Sequence, residues 1–301
     1  MKNILMISKN DSQENMSLAN DIKHVIEDHG GKASTIIEPV KDVSEPLEIP
    51  EDTECILTIG GDGALIRAAQ RTFGSNIPLL GVNRGHLGYL CDLDEDLVYD
   101  AISHLFKEEY EVEERMLLEG AVSKVPFKKG KQQELFLPEI QPTNLLMQMA
   151  LNDIVISSMN VSQVIQITIY VNHKKLYTFN GDGVIFSTPT GSTAYNLSAN
   201  GPVVDPKAEL ILITPINPHT LNSRSIVLDS ADEIAAEITP RRSSYQETAL
   251  VSFDGNNQKQ LTVNDVLIVR KSVQKTKMIR LTKENFLERI SRKLMGESVL
   301  Q

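Results

Sequence analysis

Cys55-Ile-Leu-Thr-Ile59 runs without a break into Gly60-Gly-Asp-Gly63 and on into Ala64–Phe73. The first stretch is a continuous apolar run of strand length closed by glycine. Ala64–Phe73 has helical composition, with Leu65, Ala68, Ala69 and Phe73 on one face. A strand that enters a helix through a glycine turn is the building unit of a parallel sheet. Its turn lies at the carboxyl end of the strand, where open α/β sheets bind ligands. Glycines let a backbone approach a ligand closely, and the amides of Gly60, Gly61 and Gly63 are candidates to hold phosphate oxygens. Asp62 repels phosphate, so its presence makes sense if it accepts a hydrogen bond or a proton from a hydroxyl. A helix cap by Asp62 explains the tetrapeptide alone equally well. The element is neither a Walker A loop nor a dinucleotide Gly-x-Gly-x-x-Gly turn.

The alternation of strand and helix extends outward from this turn. Asn3–Ile7 reads as a strand, Met16–His29 as an amphipathic helix stopped by Gly30-Gly31, and Ala33–Ile37 as a second strand. Ile77–Val82 reads as a further strand, and Asp94–Phe106 as a helix with an acidic first turn. Beyond Tyr110 the texture changes to strands: Leu117–Val125, Ala150–Ser157, Gln163–Val171, Val184–Ser187, Leu210–Thr214, Ile234–Thr239, Ala249–Phe253 and Leu267–Arg270. Lys124–Leu146, polar and carrying Pro126, Pro138 and Pro142, reads as a surface loop. Glu284–Leu294 returns to a helical pattern. The expected fold is α/β + β: a Rossmann-like parallel α/β domain over residues 1–112, joined by 276–301, and a mostly antiparallel β domain over 113–275. The C-terminal helix is expected to pack back on the first domain.

Thirty basic against 40 acidic residues give a net charge of −10, which argues against nucleic acid and anionic membranes as partners. No segment approaches the roughly 18 apolar residues of a membrane span, and Met1–Ser8 lacks a signal-peptide pattern. Cys55 and Cys91 sit beside apolar runs without metal spacing, the pattern of buried thiols in a reducing cytoplasm.

A second small-residue stretch is Asn180-Gly-Asp-Gly-Val-Ile-Phe-Ser-Thr-Pro-Thr-Gly-Ser-Thr-Ala-Tyr195. Seven of the nine residues Ser187–Tyr195 are small or hydroxylic, and Asp182 lies just upstream. That density favours a ligand site over an ordinary capping box, with Tyr195 either stacking on or shielding a base or simply packing. Asn152-Asp153 before the strand pattern Ile154–Ser157 reads as a turn or as a pair that hydrogen-bonds a base edge or a ribose diol. Gly81-Val-Asn-Arg-Gly-His-Leu-Gly88 is another loop on the sheet edge, where Arg84 is as good a phosphate contact as a structural residue. Arg67 is a further phosphate candidate. His86 and His219 in their turns read as structural. Asp92-Leu-Asp-Glu-Asp96 lacks the glycine and the Glu of a calcium loop and reads as helix capping.

Taken together, Gly60-Gly-Asp-Gly63, Asn152-Asp153, Gly181–Tyr195, Gly81-Val-Asn-x-Gly-x-Leu-Gly88 and Pro218-His-x-Leu-x-x-Arg224 resemble the NAD kinase family from Ile4 to about Leu294. The resemblance implies ATP-dependent phosphorylation of the adenosine ribose 2′-hydroxyl of NAD, with Mg²⁺ or another divalent cation, in a homodimer or homotetramer. It implies Asp62 as the base and Gly63 against the NAD. Asn152 and Asp153 would hold base or ribose, and Asp182, Thr193, Ala194, Tyr195, Asn196, Leu197 and Ser198 would complete the pocket. Asn180, Asn217, His219 and Asn256 are the remaining polar candidates, and no metal ligand is assigned. Asn200 stands where the family commonly has glycine, which implies a left-handed backbone there. The competing readings are a lipid or sugar kinase sharing Gly-Gly-Asp-Gly, which leaves Thr190–Tyr195 unexplained, and a non-catalytic dinucleotide sensor, against which Asp62 speaks.

Overall fold

The computed structural model describes residues 1–9, 13–38, 46–84, 88–124, 128–129, 135–136, 146–159, 164–220, 223–239, 248–263, 265–282 and 284–295. The chain divides into two compact units, Met1–Arg115 with Lys275–Gln301, and Met116–Gln274.

In the first unit, β1 (Asn3–Lys9), β2 (Lys32–Glu38), β3 (Cys55–Ile59) and β4 (Leu79–Asn83) run parallel in the order β4-β3-β1-β2. Helix α1 (Gln13–Asp28) follows β1, and α2 (Asp62–Arg71) follows β3. Ile4, Met6, Leu57, Ile59, Leu80 and Val82 face Leu18, Ile22 and Ile26 of α1 on one side of the sheet. Helix α3 (Val98–Phe106) joins that layer through Val98, Ile102 and Leu105. On the other side α2 lays Leu65 against Gly81, where a Cβ would stand 3.1 Å from the leucine methyl. Strands covered on both faces are apolar throughout rather than alternating, which is why Cys55–Ile59 is buried at every position. Burial of a side chain such as Ile22 or Ile26 contributes about 1.5–3 kcal/mol each.

Helix α1 ends as expected: Gly30 adopts φ +80°, and the amides of Gly30 and Gly31 reach back to Glu27 O and Ile26 O. The helix expected over Asp94–Phe106 is shorter. Leu93–Asp94 pairs with β4 as a short β5, Glu95–Leu97 forms a 3₁₀ turn, and α3 starts only at Val98. The C-terminal helix spans Phe286–Met295 in the first unit. A reciprocal box starts it, Glu288 N donating to Asn285 Oδ1 and Asn285 N to Glu288 Oε2, both at 2.9 Å.

The second unit is built from two antiparallel sheets. One orders Lys174–Gly181, Ile165–Val171, Ile234–Thr239 and the start of Val266–Arg280. The other orders Ile226–Asp229, Leu210–Ile216, Gly183–Ser187, Asp153–Ser158, Thr248–Phe253 and Asn256–Thr262. Ile165, Ile167 and Ile169 of the first sheet share one core with Ile154, Ile156, Val184, Phe186, Val251 and Phe253 of the second. The period-two pattern thus puts Gln166, Thr168 and Tyr170 on the opposite face. Among the strands that escaped the sequence reading are Lys174–Gly181, Ile226–Asp229 and Asn256–Thr262. Within Lys124–Leu146, most of which lies outside the described residues, Lys128–Lys129 pairs with Leu135–Phe136. No helix among the described residues is long and apolar enough to cross a membrane.

Candidate active site

Asp62 is the first residue of α2, yet it does not cap the helix. Gly61 is the N-cap, and no side chain caps the turn. The Asp62 carboxylate turns instead to the segment after Gly88. Oδ2 accepts from Tyr89 N at 2.6 Å, and Oδ1 accepts from Leu90 N at 3.1 Å and Cys91 N at 3.0 Å. A carboxylate has about four acceptor lone pairs. Among the described residues three backbone amides take up that capacity, two on Oδ1 and one on Oδ2. Gly88 makes this approach possible, since a Cβ on it would stand 1.9 Å from Asp62 Oδ1. Gly60, at φ +148°, supplies the turn that releases α2 from β3. Cys91 Sγ lies 3.7 Å from Gly60 O. Burial, and after it the nearby Asp62 charge, pushes the Cys91 thiol far up, so it stays neutral. Burial likewise pushes Cys55 up to about 12, and both cysteines are free and buried as expected.

Behind this cradle lies Asp92, which accepts from Arg280 Nη1 (2.8 Å), Arg289 Nη2 (3.1 Å), Thr282 Oγ1 (2.9 Å), and the amides of Leu281 (2.7 Å) and Thr282 (2.9 Å). Burial alone would raise its pKa, but the Arg280 guanidinium and the two amides outweigh burial and hold it below the usual carboxylate range. Asp92 is therefore no helix cap; it ties the chain after Cys91 to the C-terminal segment. Arg84 is spent structurally as well, donating to Glu95 Oε2 (2.7 Å), Asn15 Oδ1 (2.5 Å) and Glu14 Oε2 (3.3 Å). Its charge is compensated by two carboxylates, which removes the reason to assign it a phosphate. Arg67 lies beside Gly63, its Nη1 3.5 Å from where a Cβ would stand. Residues 85–87, His86 included, lie outside the described residues.

In the second unit Asn152-Asp153 is a tight turn pinned by Asp254. The Asp254 carboxylate accepts from Leu151 N (2.8 Å), Asn152 N (2.7 Å) and Asp153 N (3.0 Å). Asp153, only 5% exposed, has its pKa raised to about 7 by burial and by the neighbouring Asp254 charge. Asn152 is 7% exposed, and its Oδ1 is buried without a hydrogen-bond partner, as is Thr190 Oγ1. An unpartnered buried acceptor costs about 1–3 kcal/mol. Asn152 Oδ1 in this turn and Thr190 Oγ1 at the start of the 3₁₀ turn Thr190–Thr193 are thus atoms that a ligand's donors would satisfy.

The hydroxyl-rich run does less for a ligand than its density suggests. Ser187 donates to Thr188 O, Thr188 to Leu151 O and Ser192 to Val204 O, while Gly191 N and Val204 N donate to Thr188 and Ser192. Thr193 reaches Thr190 O at 3.4 Å. These hydroxyls brace the turn. Asn196 is an internal brace too: its Nδ2 donates to Ser192 O and Pro202 O, and its Oδ1 accepts from Thr214. This buried side chain supports the loop Asn200–Val204. Asn200 in that loop adopts φ +61°, as the glycine at this place in relatives implied. Tyr195 stays 46% exposed, free to cover an apolar face of a bound molecule. Ala194, Leu197 and Ser198 remain at least partly accessible.

Asp182 belongs to a different cluster. Asn217 Nδ2 donates to Asp182 Oδ2 at 2.9 Å, His219 N to Asn180 O at 2.8 Å, and Gln166 Nε2 to Asn180 Oδ1 at 3.2 Å. The glycines beside Asp182 serve strand packing. A Cβ on Gly183 would stand 2.2 Å from Ile156 O, and one on Gly181 2.8 Å from Ile216 O. Asn256 is exposed and reaches Asp254 O at 3.4 Å. The sequence reading missed Asp254, Asp92 and Arg289, single charged residues far along the chain from the groups they hold. Among the described residues, no three His, Cys, Asp or Glu side chains converge on a point that could hold a metal.

Comparison with known proteins bears on this arrangement. A family model described as the ATP-NAD kinase N-terminal domain matches residues 17–110, and one described as the ATP-NAD kinase C-terminal domain matches 151–281. The chain is 42% identical over 300 residues to an NAD kinase of Agathobacter rectalis, covering 98% of this chain and 99% of that one. It is 37% identical over 288 residues to an NAD kinase of Lachnoclostridium phytofermentans, covering 95% and 96%. The fold is similar to yeast NADH kinase complexed with NADH, at TM-score 0.81 and 22% identity, with 100% of this chain and 89% of that one covered. It is also similar to an NAD kinase from Archaeoglobus fulgidus in complex with ATP, at TM-score 0.72 and 20% identity, with 97% and 98% covered.

Proposed function

Because this chain belongs to the NAD kinase family, we propose that it transfers the γ-phosphoryl group of ATP to the adenosine ribose 2′-hydroxyl of NAD, releasing NADP and ADP. The observation that carries the assignment of the acceptor is the Asp62 carboxylate, held in place by the amides of Tyr89, Leu90 and Cys91. In the proposed step the 2′-oxygen attacks the γ-phosphorus while its proton passes to Asp62 Oδ2. The bond from the γ-phosphorus to the bridging oxygen breaks, and ADP leaves with the electron pair. Phosphoryl transfer of this kind asks the protein mainly for positioning and for stabilisation of charge. The amides of Gly60, Gly61 and Gly63, with Arg67, are the groups assigned to the donor's phosphates.

Gly63, Asn152 and Asp153 are assigned to the adenosine part of NAD. Asn152 Oδ1 and Thr190 Oγ1, buried without partners, support this, because a base amino group or a ribose hydroxyl would satisfy them. Asp182, Thr193, Ala194, Tyr195, Leu197 and Ser198 are assigned to the rest of the dinucleotide, with Asn180, Asn217, His219 and Asn256 as its outer polar contacts. The divalent cation of this reading has no cage of protein ligands among the described residues. It is taken as part of the donor, bound to its phosphates as Mg²⁺ ordinarily is, where it neutralises charge on the transferring group. A homodimer or homotetramer in the cytoplasm belongs to the same proposal, and light scattering on the purified protein reads the oligomer.

The test is NADP formation from NAD, ATP and Mg²⁺ by the wild type and by Asp62→Asn. The expected result is a loss in kcat of roughly 10²–10⁴-fold in the variant, with NAD affinity retained. Turnover by Asp62→Asn within a few-fold of wild type refutes the role of Asp62. NAD binding by the wild type without NADP formation refutes the enzyme and leaves a sensor.

A further inference from the structure

The C-terminal helix Phe286–Met295 lies beyond residue 281, where the match to the family domain ends. Its Arg289 is 4% exposed and fully engaged. Arg289 Nη1 donates to Tyr89 O at 3.2 Å and to Cys91 O at 3.1 Å, while Nη2 donates to Asp92 Oδ1 at 3.1 Å. Its Nε lies 3.4 Å from Glu284 Oε2. The guanidinium is thus anchored by carboxylates and directed at the backbone of the segment that cradles Asp62. The peptide plane between Tyr89 and Leu90 is held at both ends. Its carbonyl accepts from Arg289, and its N–H donates to Asp62 Oδ1 at 3.1 Å. A cation on a peptide oxygen draws electron density from the N–H and strengthens it as a donor, by roughly 10–30% per bond. One turn further along the helix, Lys293 Nζ stands 3.8 Å from the centroid of the Tyr89 ring, a second cation on the same residue.

We infer that Arg289 is a positioning residue for phosphoryl transfer: through the Tyr89–Cys91 backbone it fixes the orientation of the Asp62 carboxylate toward the acceptor hydroxyl. The inference rests on the assignment of Asp62 to that hydroxyl. It gives the C-terminal helix a part in the reaction beyond packing. Neutralising Asp92 does not account for Arg289, because Arg280 already meets Asp92 Oδ1 at the shorter distance of 2.8 Å and Arg289 turns Nη1 wholly to the two carbonyls.

The experiment is a cycle of wild type, Arg289→Gln, Asp62→Asn and the double variant. Each kcat is expressed per molecule able to bind NAD, with KM for NAD and ATP and thermal stability measured alongside. Arg289→Gln is expected to lose roughly 10- to 100-fold in kcat, with both KM values within about 3-fold. Arg289→Lys, which keeps the charge but not the fork, is expected to fall between. In the Asp62→Asn background, Arg289→Gln is expected to cost nothing further, since a residue acting only through Asp62 has no one left to act on. A structural brace alone would lower stability and the fraction able to bind NAD, yet leave kcat per binding molecule unchanged. That result overturns the inference, as does a full additive loss in the double variant. Should Arg289→Gln fail to fold, the amide proton of Leu90 in ¹⁵N-labelled Arg289→Lys decides. It moves upfield if the peptide is polarised by the guanidinium, and an unmoved resonance refutes this. If Asp62→Asn turns over near the wild-type rate, the assignment of Asp62 falls and the inference falls with it.

Discussion

The turn Leu151–Asp153 places two carboxylates in one nearly dry corner, and its pH dependence has a definite sign. Asp254 accepts three amides, while Asp153 is left to burial and to the neighbouring Asp254 charge. The Asp153 pKa rises from the ordinary 3.8 to about 7. Between these values the native protein binds a proton that the unfolded chain does not, so stability falls as pH rises through that window. About 3 units correspond to about 4 kcal/mol, fully lost above pH ~7 and fully regained below pH ~4. Asp153→Asn keeps the shape of the protonated acid and cannot ionise. Urea unfolding of both proteins from pH 3.5 to 9 should therefore show near-equal stability at the acid end. At the alkaline end the variant should be the more stable, by about 3–4 kcal/mol. The comparison cancels the titration of every other acid in the chain. A difference that does not change with pH, or a variant that loses ground as pH rises, refutes the reasoning.

Two further outcomes follow from the geometry. Gly88→Ala puts a methyl 1.9 Å from Asp62 Oδ1 and must displace the carboxylate or the Tyr89–Cys91 segment. A loss in kcat of roughly 10²-fold is expected with KM for NAD little changed, and steady-state kinetics read it; wild-type kcat would show that the cradle does not set the rate. Asp254→Ala strips the acceptor from the amides of Leu151, Asn152 and Asp153. It should lower unfolding free energy by about 3 kcal/mol or more at pH 5, where Asp153 is protonated; a loss under 1 kcal/mol would mean that those amides find other acceptors.

Central elements were legible in the sequence because burial leaves a pattern. Cys55–Ile59, Ile165–Val171 and Ala249–Phe253 carry their inward residues as apolar runs or alternations, and each was read close to its true bounds. The missed strands Lys174–Gly181, Asn256–Thr262 and Ile226–Asp229 are each outermost in their sheets. Lys174–Gly181 starts with two lysines, Asn256–Thr262 has one buried position, and Ile226–Asp229 spans four residues. An edge strand is short and polar because it must discourage further pairing, so the features that protect it erase its signal. The shortened α3 has a related cause. Asp94 and Glu95 look like a favourable first turn, but Asp94 pairs in the sheet and Glu95 answers Arg84.

The glycine-flanked aspartates show where motif reading stops. From the sequence Asp62 and Asp182 look alike, each a carboxylate among glycines after or before an apolar run. In the structure the glycines differ in purpose. Gly181 and Gly183 clear room for carbonyls of adjacent strands, and Asp182 meets an exposed Asn217. Gly88, which clears room for Asp62, stands 26 residues after it, and the amides that hold the carboxylate follow Gly88 directly. What separates the two acids is therefore not their own motif but a backbone segment and an arginine brought to one of them from afar. No local spacing encodes that convergence, because a backbone N–H has no sequence signature and Arg289 reads as one cation among several on an amphipathic helix. The same reasoning ranks the two sites. A carboxylate held by three fixed backbone amides keeps a single orientation, whereas Asp182, met by the exposed Asn217 side chain, is not fixed with comparable precision.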